Sequence, residues 1–422
     1  MLTAISRYGV RVLPNTEQII AACRRRGELV QGPQIAEFEE ALARLLGGGR
    51  AISASYGRMA FLYILRALEL PPGSEIVLPA LTFWVMPEMA RVAGLRPVFA
   101  DVDPATFTID PNALERAITS RTRAIVPTHL YGLPCDMDAI LTIAGRHNLT
   151  VIEDCAHALG ARYRGRPVGT FGQAAVFSFQ TFKPLNTYGG GMALALDESL
   201  ARRVAEAAYA EPWPSEARVL RRLRIGRLQR IFTRPAVFTW TAFPILWIAS
   251  WFKVRPDVHL RHTIRRLDPL PAGYAERYSN VQATLGLAGL ARLEEWTCQT
   301  RSNAGIMDEA LRDLHSVVVP RVPPDRFHVY YQYCVYARQR DDLVRRCIRS
   351  AIDVEALHVD VCPELPLFAD LKVDAPGARR AADAVQLPVY SGLSEPQIRS
   401  IALRIRKLLS HPTERPVAVS SA

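Results

Sequence analysis

Over its first two hundred residues the chain alternates short, continuously apolar runs with longer stretches in which apolar positions recur every three or four residues. The short runs are Glu75-Ile-Val-Leu-Pro79, Pro97-Val-Phe-Ala-Asp-Val102, Arg123-Ala-Ile-Val-Pro-Thr128, Thr150-Val-Ile-Glu-Asp154, Ala174-Ala-Val-Phe-Ser-Phe179 and Gly191-Met-Ala-Leu-Ala-Leu196. Runs of this kind, without polar alternation, predict strands covered on both faces. The segments 58–70, 113–117 and 137–147 between them read as helices. Strands separated by helices predict an α/β fold with a mostly parallel central sheet. In such sheets ligands sit beyond the carboxyl ends of the strands, so the chemistry is expected there.

The rhythm breaks at about residue 213. A basic helical pattern over 217–230 leads into eighteen uncharged residues, 235–252, holding three of the six Trp (Trp240, Trp247 and Trp251). A helix over 282–295 then resumes the globular pattern. From about residue 316 a strand-like Tyr330–Tyr336 and further helices, ending in 395–409, predict a smaller α/β domain. A disordered tail is expected after Ser410. The organisation read from this is 1–212 for a large domain, 213–270 for an inserted segment, and 271–422 for a bridging helix and small domain.

At 49% hydrophobic and 22% charged over 422 residues, the composition excludes a disordered chain and allows cores for more than one domain. The seven Cys form no CxxC pair, which argues against a disulfide framework or a structural zinc site and for a reducing compartment. No metal site is expected. The first residues hold no long apolar core, so no signal peptide is expected. Charge changes the picture more. Of the net +11, most comes from 216–267, where twelve bases face only Glu216 and Asp257. A general nucleic-acid surface is therefore not indicated; one basic module is.

Candidate chemistry concentrates between Glu153 and Met192. Asp154 closes an apolar strand in Glu153-Asp-Cys-Ala-His-Ala-Leu-Gly160. Lys183 follows the next strand in Ser178-Phe-Gln-Thr-Phe-Lys183, and Gly189-Gly-Gly191 leads into another. Taken singly, a loop lysine is a solvated charge and a post-strand aspartate is a turn or helix cap. Together they read differently. A lysine among apolar neighbours at a strand end is partly desolvated, which lowers its pKa toward Schiff-base chemistry. A carboxylate on the adjoining strand end is what a pyridinium nitrogen needs to keep its proton.

In this order and spacing the chain resembles the DegT/StrS-type sugar aminotransferases, pyridoxal-phosphate enzymes of fold type I. The resemblance rests on Phe38-Glu39 in the opening helix, Ser55-Tyr-Gly57, Leu78-Pro-Ala-Leu-Thr-Phe83, Val126-Pro-Thr-His-Leu-Tyr-Gly132, Asn280-Val-Gln-Ala-Thr-Leu-Gly286 and Gln386-Leu-Pro-Val-Tyr390. It covers nearly the whole chain outside 213–270. It implies pyridoxal 5'-phosphate as cofactor. Lys183 would be the lysine that bonds to it and then moves the proton. Asp154 would pair with the pyridine nitrogen, and His157 would lie near the phenolic oxygen. Ser178, Gly57 and Arg58 would hold the phosphate, Phe83 would stack on the ring, and Gln180 would lie close to the lysine. Phe83 as plain core and Ser178 as a turn cap stay open beside these roles.

The sequence departs from the family at Arg58 (usually Thr), Gly189 (usually Glu) and Ala275 (usually Asn). The segment 351–358 only loosely resembles the usual substrate-side stretch. The function implied is transfer of an amino group from an amino acid, with glutamate expected, to a keto group of a nucleotide-activated sugar or a related lipid-linked precursor. The partners implied are that keto-sugar, the amino donor and a second subunit. Two other readings stay open: a pyridoxal-phosphate-dependent sugar dehydratase, and a non-catalytic, membrane-associated descendant.

The apolar run 235–252 would reach about 27 Å as one helix, short of a bilayer core of about 30 Å. Both its flanks must rejoin one globular body, which excludes a single span. An interfacial helical hairpin with Trp at headgroup level and Arg toward anionic lipid is one reading. A helix pair packed on a partner subunit is the other. Nucleic acid is a poorer third, because aromatics are not interleaved with the bases. The expected location is the cytoplasm, with peripheral membrane contact through 217–266 on the first reading.

Overall fold

Seven strands form the main sheet of the computed structural model, which describes residues 3–252, 263–356 and 358–410. They are β1 (Arg50–Ala54), β2 (Glu75–Pro79), β3 (Arg96–Ala100), β4 (Thr122–Ile125), β5 (Thr150–Asp154), β6 (Ala174–Ser178) and β7 (Gly191–Ala195). Their order is β1-β7-β6-β5-β4-β2-β3. The pairs from β6 to β3 are parallel, while β7 runs antiparallel to both β6 and β1. Every strand expected from an apolar run is present, and several stop one to three residues earlier at their carboxyl ends. β1 was not expected: Arg-Ala-Ile-Ser-Ala is short, and its small residues fit the buried edge of a sheet without announcing a strand.

Helices return the chain between the parallel strands, and local chemistry places their ends. The Met137–His147 helix begins where the Asp136 carboxylate accepts from the Ala139 N–H at 3.3 Å, and it ends at Asn148 in the left-handed region (φ 51°). Asp110 caps the Pro111–Ala117 helix in the same way, with Pro at its first position. The Gly57–Ala67 helix is apolar almost all round, and Met59–Leu65 are all buried between the sheet and the Glu198–Tyr209 helix. On the other sheet face Leu114, Met137, Ile140 and Ile143 close the core. Burying each large side chain contributes about 1.5–3 kcal/mol relative to leaving it in water.

A second, antiparallel layer joins Val317–Val318, Tyr333–Ala337, Val385–Leu387 and Glu355–Ala356, in that order. The Leu293–Leu311 and Glu395–Ser410 helices pack on it. The single helix expected over 282–295 is two, Asn280–Leu290 and Leu293–Leu311, because Arg292 leaves helical geometry (φ −113°, ψ 1°) and turns Leu293 and Trp296 inward. The first residues of the chain run along this layer: Ile5 bridges Ile352, and Arg7 pairs with Asp353 through Nη2 and Oδ1 at 2.6 Å.

The basic segment starts with a Glu216–Phe232 helix capped by Ser215. Residues 235–249 form two short helices, Pro235–Trp240 and Ala242–Ala249, broken at Thr241 (φ −116°, ψ −82°). Pro244 is not the break. It sits in the first turn of the second helix, where a missing N–H costs nothing. Phe238 and Leu246 pack on Ala4, Ile348 and Ala351 of the small layer. The Ala4 N–H donates to Thr239 Oγ1 at 2.9 Å, and Arg349 donates to the Ser250 carbonyl at 2.9 Å while lying over the Trp251 ring. No helix among the described residues is long and apolar enough to cross a membrane. Lys253, Arg255, Arg261 and the expected tail after Ser410 lie outside the described residues.

Candidate active site

The carboxyl ends of β5 and β6 bring the sequence-predicted residues together. Asp154 closes β5, is buried, and accepts from the Ala156 N–H at 3.0 Å. Burial raises its pKa, against the pull of the Ala156 N–H and of Lys183. Lys183 lies in the loop after β6, its backbone N–H donating to the Gln180 carbonyl at 2.9 Å. Burial lowers the Lys183 amine to about 7; Asp154 opposes the shift and Arg58 adds to it. At neutral pH a substantial share of this amine is therefore unprotonated, with free electrons for attack on a carbonyl.

His157 is buried three residues beyond Asp154, at the start of the turn that follows β5. Its Nδ1 accepts from the Tyr131 N–H at 3.4 Å, and its ring stacks on Tyr331 with centroids 4.1 Å apart. Burial, with Lys183 and His358 nearby, holds its pKa well below the ordinary range. A neutral imidazole accepting at Nδ1 carries its proton on Nε2, which leaves that N–H free to donate. Ser178 ends β6 and Gln180 precedes the lysine loop, both half-buried.

A second group forms where β1 meets the Gly57–Ala67 helix. Gly57 opens that helix against the carboxyl end of β6: a Cβ there would meet the Phe177 carbonyl oxygen at 3.0 Å and Ser178 Cβ at 3.2 Å. A Cβ on Gly191 would stand 2.3 Å from the Gly57 nitrogen, so the turn closes only with hydrogen at both positions. At this helix start the Met59 and Ala60 N–H groups donate to the Tyr56 carbonyl at 3.0 and 3.1 Å, while those of Gly57 and Arg58 precede the first helical bond and suit an anion. The Arg58 guanidinium lies over the rings of Tyr56, Phe83 and Tyr274 at 5.2–5.5 Å and donates to the Tyr274 hydroxyl at 2.6 Å. Phe83, half-buried after Thr82, packs on the core beside Trp84 and also lies against the Arg58 cation.

Several further groups meet at the site; of these, Glu355 and His358 belong to the 351–358 stretch that loosely resembles the family's substrate side, and the others carried no sequence signal. Tyr331 lies beneath the lysine, with Nζ 4.7 Å from its ring centroid. Tyr331 and His358 are 3.3 Å apart through Oη and Nε2; His358 Nδ1 meets Glu355 at 2.9 Å and the Tyr8 hydroxyl at 3.1 Å. Tyr8 also donates to Glu355. Burial works to raise the Glu355 pKa, yet His358, Arg7 and Tyr8 hold it down at about 2. Arg11 lines the same small pocket as Lys183, Tyr8 and Tyr331. It donates to the Pro184 carbonyl at 2.8 Å and the Thr300 hydroxyl at 3.3 Å, both uncharged. Among the described residues no carboxylate lies within ion-pair distance of it, and burial lowers its pKa to about 10. A motif search would not find Arg11, since one arginine in an N-terminal stretch has no spacing to mark it.

The basic segment touches this site from outside. Arg222 lies 4.9 Å over the Tyr56 ring and donates to its hydroxyl at 3.2 Å. Tyr188, in the left-handed region (φ 59°), fits its ring where a Cβ on Gly226 would stand, 2.1 Å from Tyr188 Cδ1. Behind the site, Glu153 points to the opposite side of β5. It accepts from the N–H groups of Gly169, Phe171 and Gly172 at 2.6–2.9 Å and meets His129 Nε2 at 3.0 Å. His129, Glu153 and Cys155 are close enough to share an ion, but the carboxylate oxygens are already engaged in shaping the 169–172 turn.

The profile of the DegT/DnrJ/EryC1/StrS aminotransferase family matches residues 14–227 and 250–406, passing over 228–249. The pleiotropic regulatory protein of Geobacillus stearothermophilus is 31% identical, over 96% of this chain and 98% of that one. The GDP-perosamine synthase of Caulobacter vibrioides is 32% identical, over 90% of this chain and 91% of its own. Among solved structures, DesI with its TDP-sugar product superposes with a TM-score of 0.75 at 25% identity, covering 97% of this chain and 94% of that one.

Proposed function

Because the chain belongs to the DegT/DnrJ/EryC1/StrS aminotransferase family, with the fold type I architecture of its solved relatives, we propose that it moves an amino group from an amino acid to a keto group on a nucleotide-activated sugar. The observation that carries this reading is a lysine lowered to about 7 beside a buried aspartate at adjoining strand ends. The relatives named for GDP- and TDP-linked sugars support the substrate class.

Pyridoxal phosphate suits these residues on independent grounds. A glycine-walled helix start, whose cradle a Cβ would fill, with Arg58 at its second position, would take the phosphate, and Ser178 would add a hydroxyl. Bound there, the cofactor would supply an electron sink next to a reactive carbonyl carbon. The chain does the rest. Lys183 would supply its neutral Nζ as the nucleophile and hold on that atom the proton to be moved. Asp154 would hold a proton on the pyridine nitrogen. His157 would donate from Nε2 to the phenolic oxygen, Phe83 would cover one ring face, and Gln180 would border the lysine loop. Arg58 in place of the usual threonine exchanges a hydroxyl for a charge-assisted donor. Arg11 receives the carboxylate of the donor, which gives its buried charge the partner it lacks. Tyr331, His358, Glu355 and Tyr8 form the polar wall that the sugar meets.

The reading includes a homodimer with the site near the interface and a reducing, cytoplasmic setting; the latter is supported by all seven Cys being free. The first test is the visible spectrum of the purified protein before and after glutamate. The lysine-bound cofactor band should be present, shift with glutamate, and be missing in Lys183→Ala. A protein that takes up no added cofactor overturns the reading. It would favour a regulatory role, which the name of the Geobacillus relative and the changes at Arg58, Gly189 and Ala275 support.

A further inference from the structure

Of the fifteen large apolar side chains that stand exposed on the described surface, ten lie between residues 225 and 252. The Glu216–Phe232 helix is apolar on two sides. Val219 and Leu223 face inward and are buried; Ile225, Leu228 and Phe232 repeat every three or four residues on the outside, with Arg221 and Arg224 exposed just before them. The two short helices that follow also leave large apolar side chains in the open. Trp240 is 70% exposed, Ile245 68% and Phe252 71%, and Trp247, Ile248 and Trp251 are exposed beside them. Their inner face is already used, since Phe238 and Leu246 seat them on the small layer.

We propose that the outer face of residues 221–252 docks on an anionic lipid bilayer, with its apolar side chains at the acyl boundary and Arg221, Arg224 and Arg234 against phosphate headgroups. Charge selects this occupant. The segment 217–252 holds no acidic residue, and among the described residues no carboxylate lies within ion-pair distance of those three arginines. A second copy of the chain packing here about a two-fold axis would present the same patch, which offers no carboxylate to set against these arginines. A bilayer with negative headgroups complements them and accepts the apolar side chains as well. The helices are too short to span, so the contact lies in the interface plane. The family profile passes over 228–249, so the middle of this surface lies outside the stretch matched to the family, while 221–227 and 250–252 at its ends lie within it.

The test uses the full-length, cofactor-loaded protein with vesicles of phosphatidylcholine alone or mixed with phosphatidylglycerol. The expected result is flotation with the mixed vesicles only, weakened by salt, with tryptophan emission shifted to the blue. Arg221→Gln and Arg224→Gln should each weaken partition about fivefold. Trp240→Ser, Ile245→Ser and Ile248→Ser combined should abolish it while amino transfer to a soluble keto-sugar is kept. No flotation, equal flotation with uncharged vesicles, or unchanged flotation of the triple variant would overturn the proposal. So would a triple variant whose only change is a smaller assembly in light scattering, which would assign this face to a second copy.

Discussion

Around Lys183 the cations are sunk among rings and neutral hydrogen-bond partners, whereas along the outer side of the Glu216–Phe232 helix they stand in water beside exposed apolar side chains. The first environment changes what a cation is. Desolvation takes the lysine amine to about 7, Asp154 offsets part of the loss, and the guanidinium of Arg58 adds to it. The second leaves the charge intact and makes it available to a partner. Both regions place positive charge next to aromatic and aliphatic groups, so composition alone does not separate them. Burial does: reactivity follows from removing water, and adhesion from keeping it until a surface displaces it.

The largest test of this contrast is Lys183→Ala. Amino transfer should fall by at least about a thousandfold, and the cofactor's lysine-bound band should vanish, with vesicle flotation untouched. Activity and adhesion falling together would erase the distinction between the two regions.

A pH titration sharpens it further. In cofactor-free protein, labelling of Lys183 by an amine-selective reagent should rise with pH around a midpoint of about 7. Asp154 favours the protonated amine and Arg58 opposes it, so Asp154→Asn should move the midpoint down and Arg58→Thr should move it up. Arg58→Thr should also weaken cofactor retention roughly tenfold, as expected for a lost hydrogen bond to a charged group. A midpoint near that of a solvated lysine, about 10.4, would show the site to be wet and the contrast false.

The smallest effect falls on Arg11. Arg11→Gln should raise the KM for the amino-acid donor about tenfold while leaving the KM for the sugar and the midpoint of Lys183 in place. Equal losses for both substrates would mean that Arg11 only braces the Pro184 turn.

How far the sequence reached follows the same physics. Asp154 and Lys183 were legible as neighbours because continuous apolar strands mark where the strand ends fall, whereas Ser178 and Gly57 entered only through the family resemblance. Arg58 was legible as a departure, but its three aromatic neighbours come from separate places, Tyr56, Phe83 and Tyr274, and only folding assembles them. Tyr8, Arg11 and Tyr331 come from opposite ends of the chain, each an unremarkable residue in its own stretch. The helical character of 235–252 was readable from its apolar run; the break at Thr241 was not, since a threonine does not mark a helix end. What decided there was the seat of Phe238 and Leu246 on the small layer, a tertiary contact with no local signature.

The strand-like start of the chain has a mechanical consequence. Arg7 is clamped to Asp353 of the small layer, while the Arg11 side chain grips the Pro184 carbonyl and its own carbonyl receives Asn186 Nδ2 at 3.2 Å. The three residues between those two anchors make four steps along the chain, which can extend no more than about 14 Å. The N-terminal stretch is thus a short tether with one end on the small layer and the other on the loop that holds Lys183. A displacement of either anchor would therefore be passed to the other, which couples the position of the lysine loop to that of the small layer.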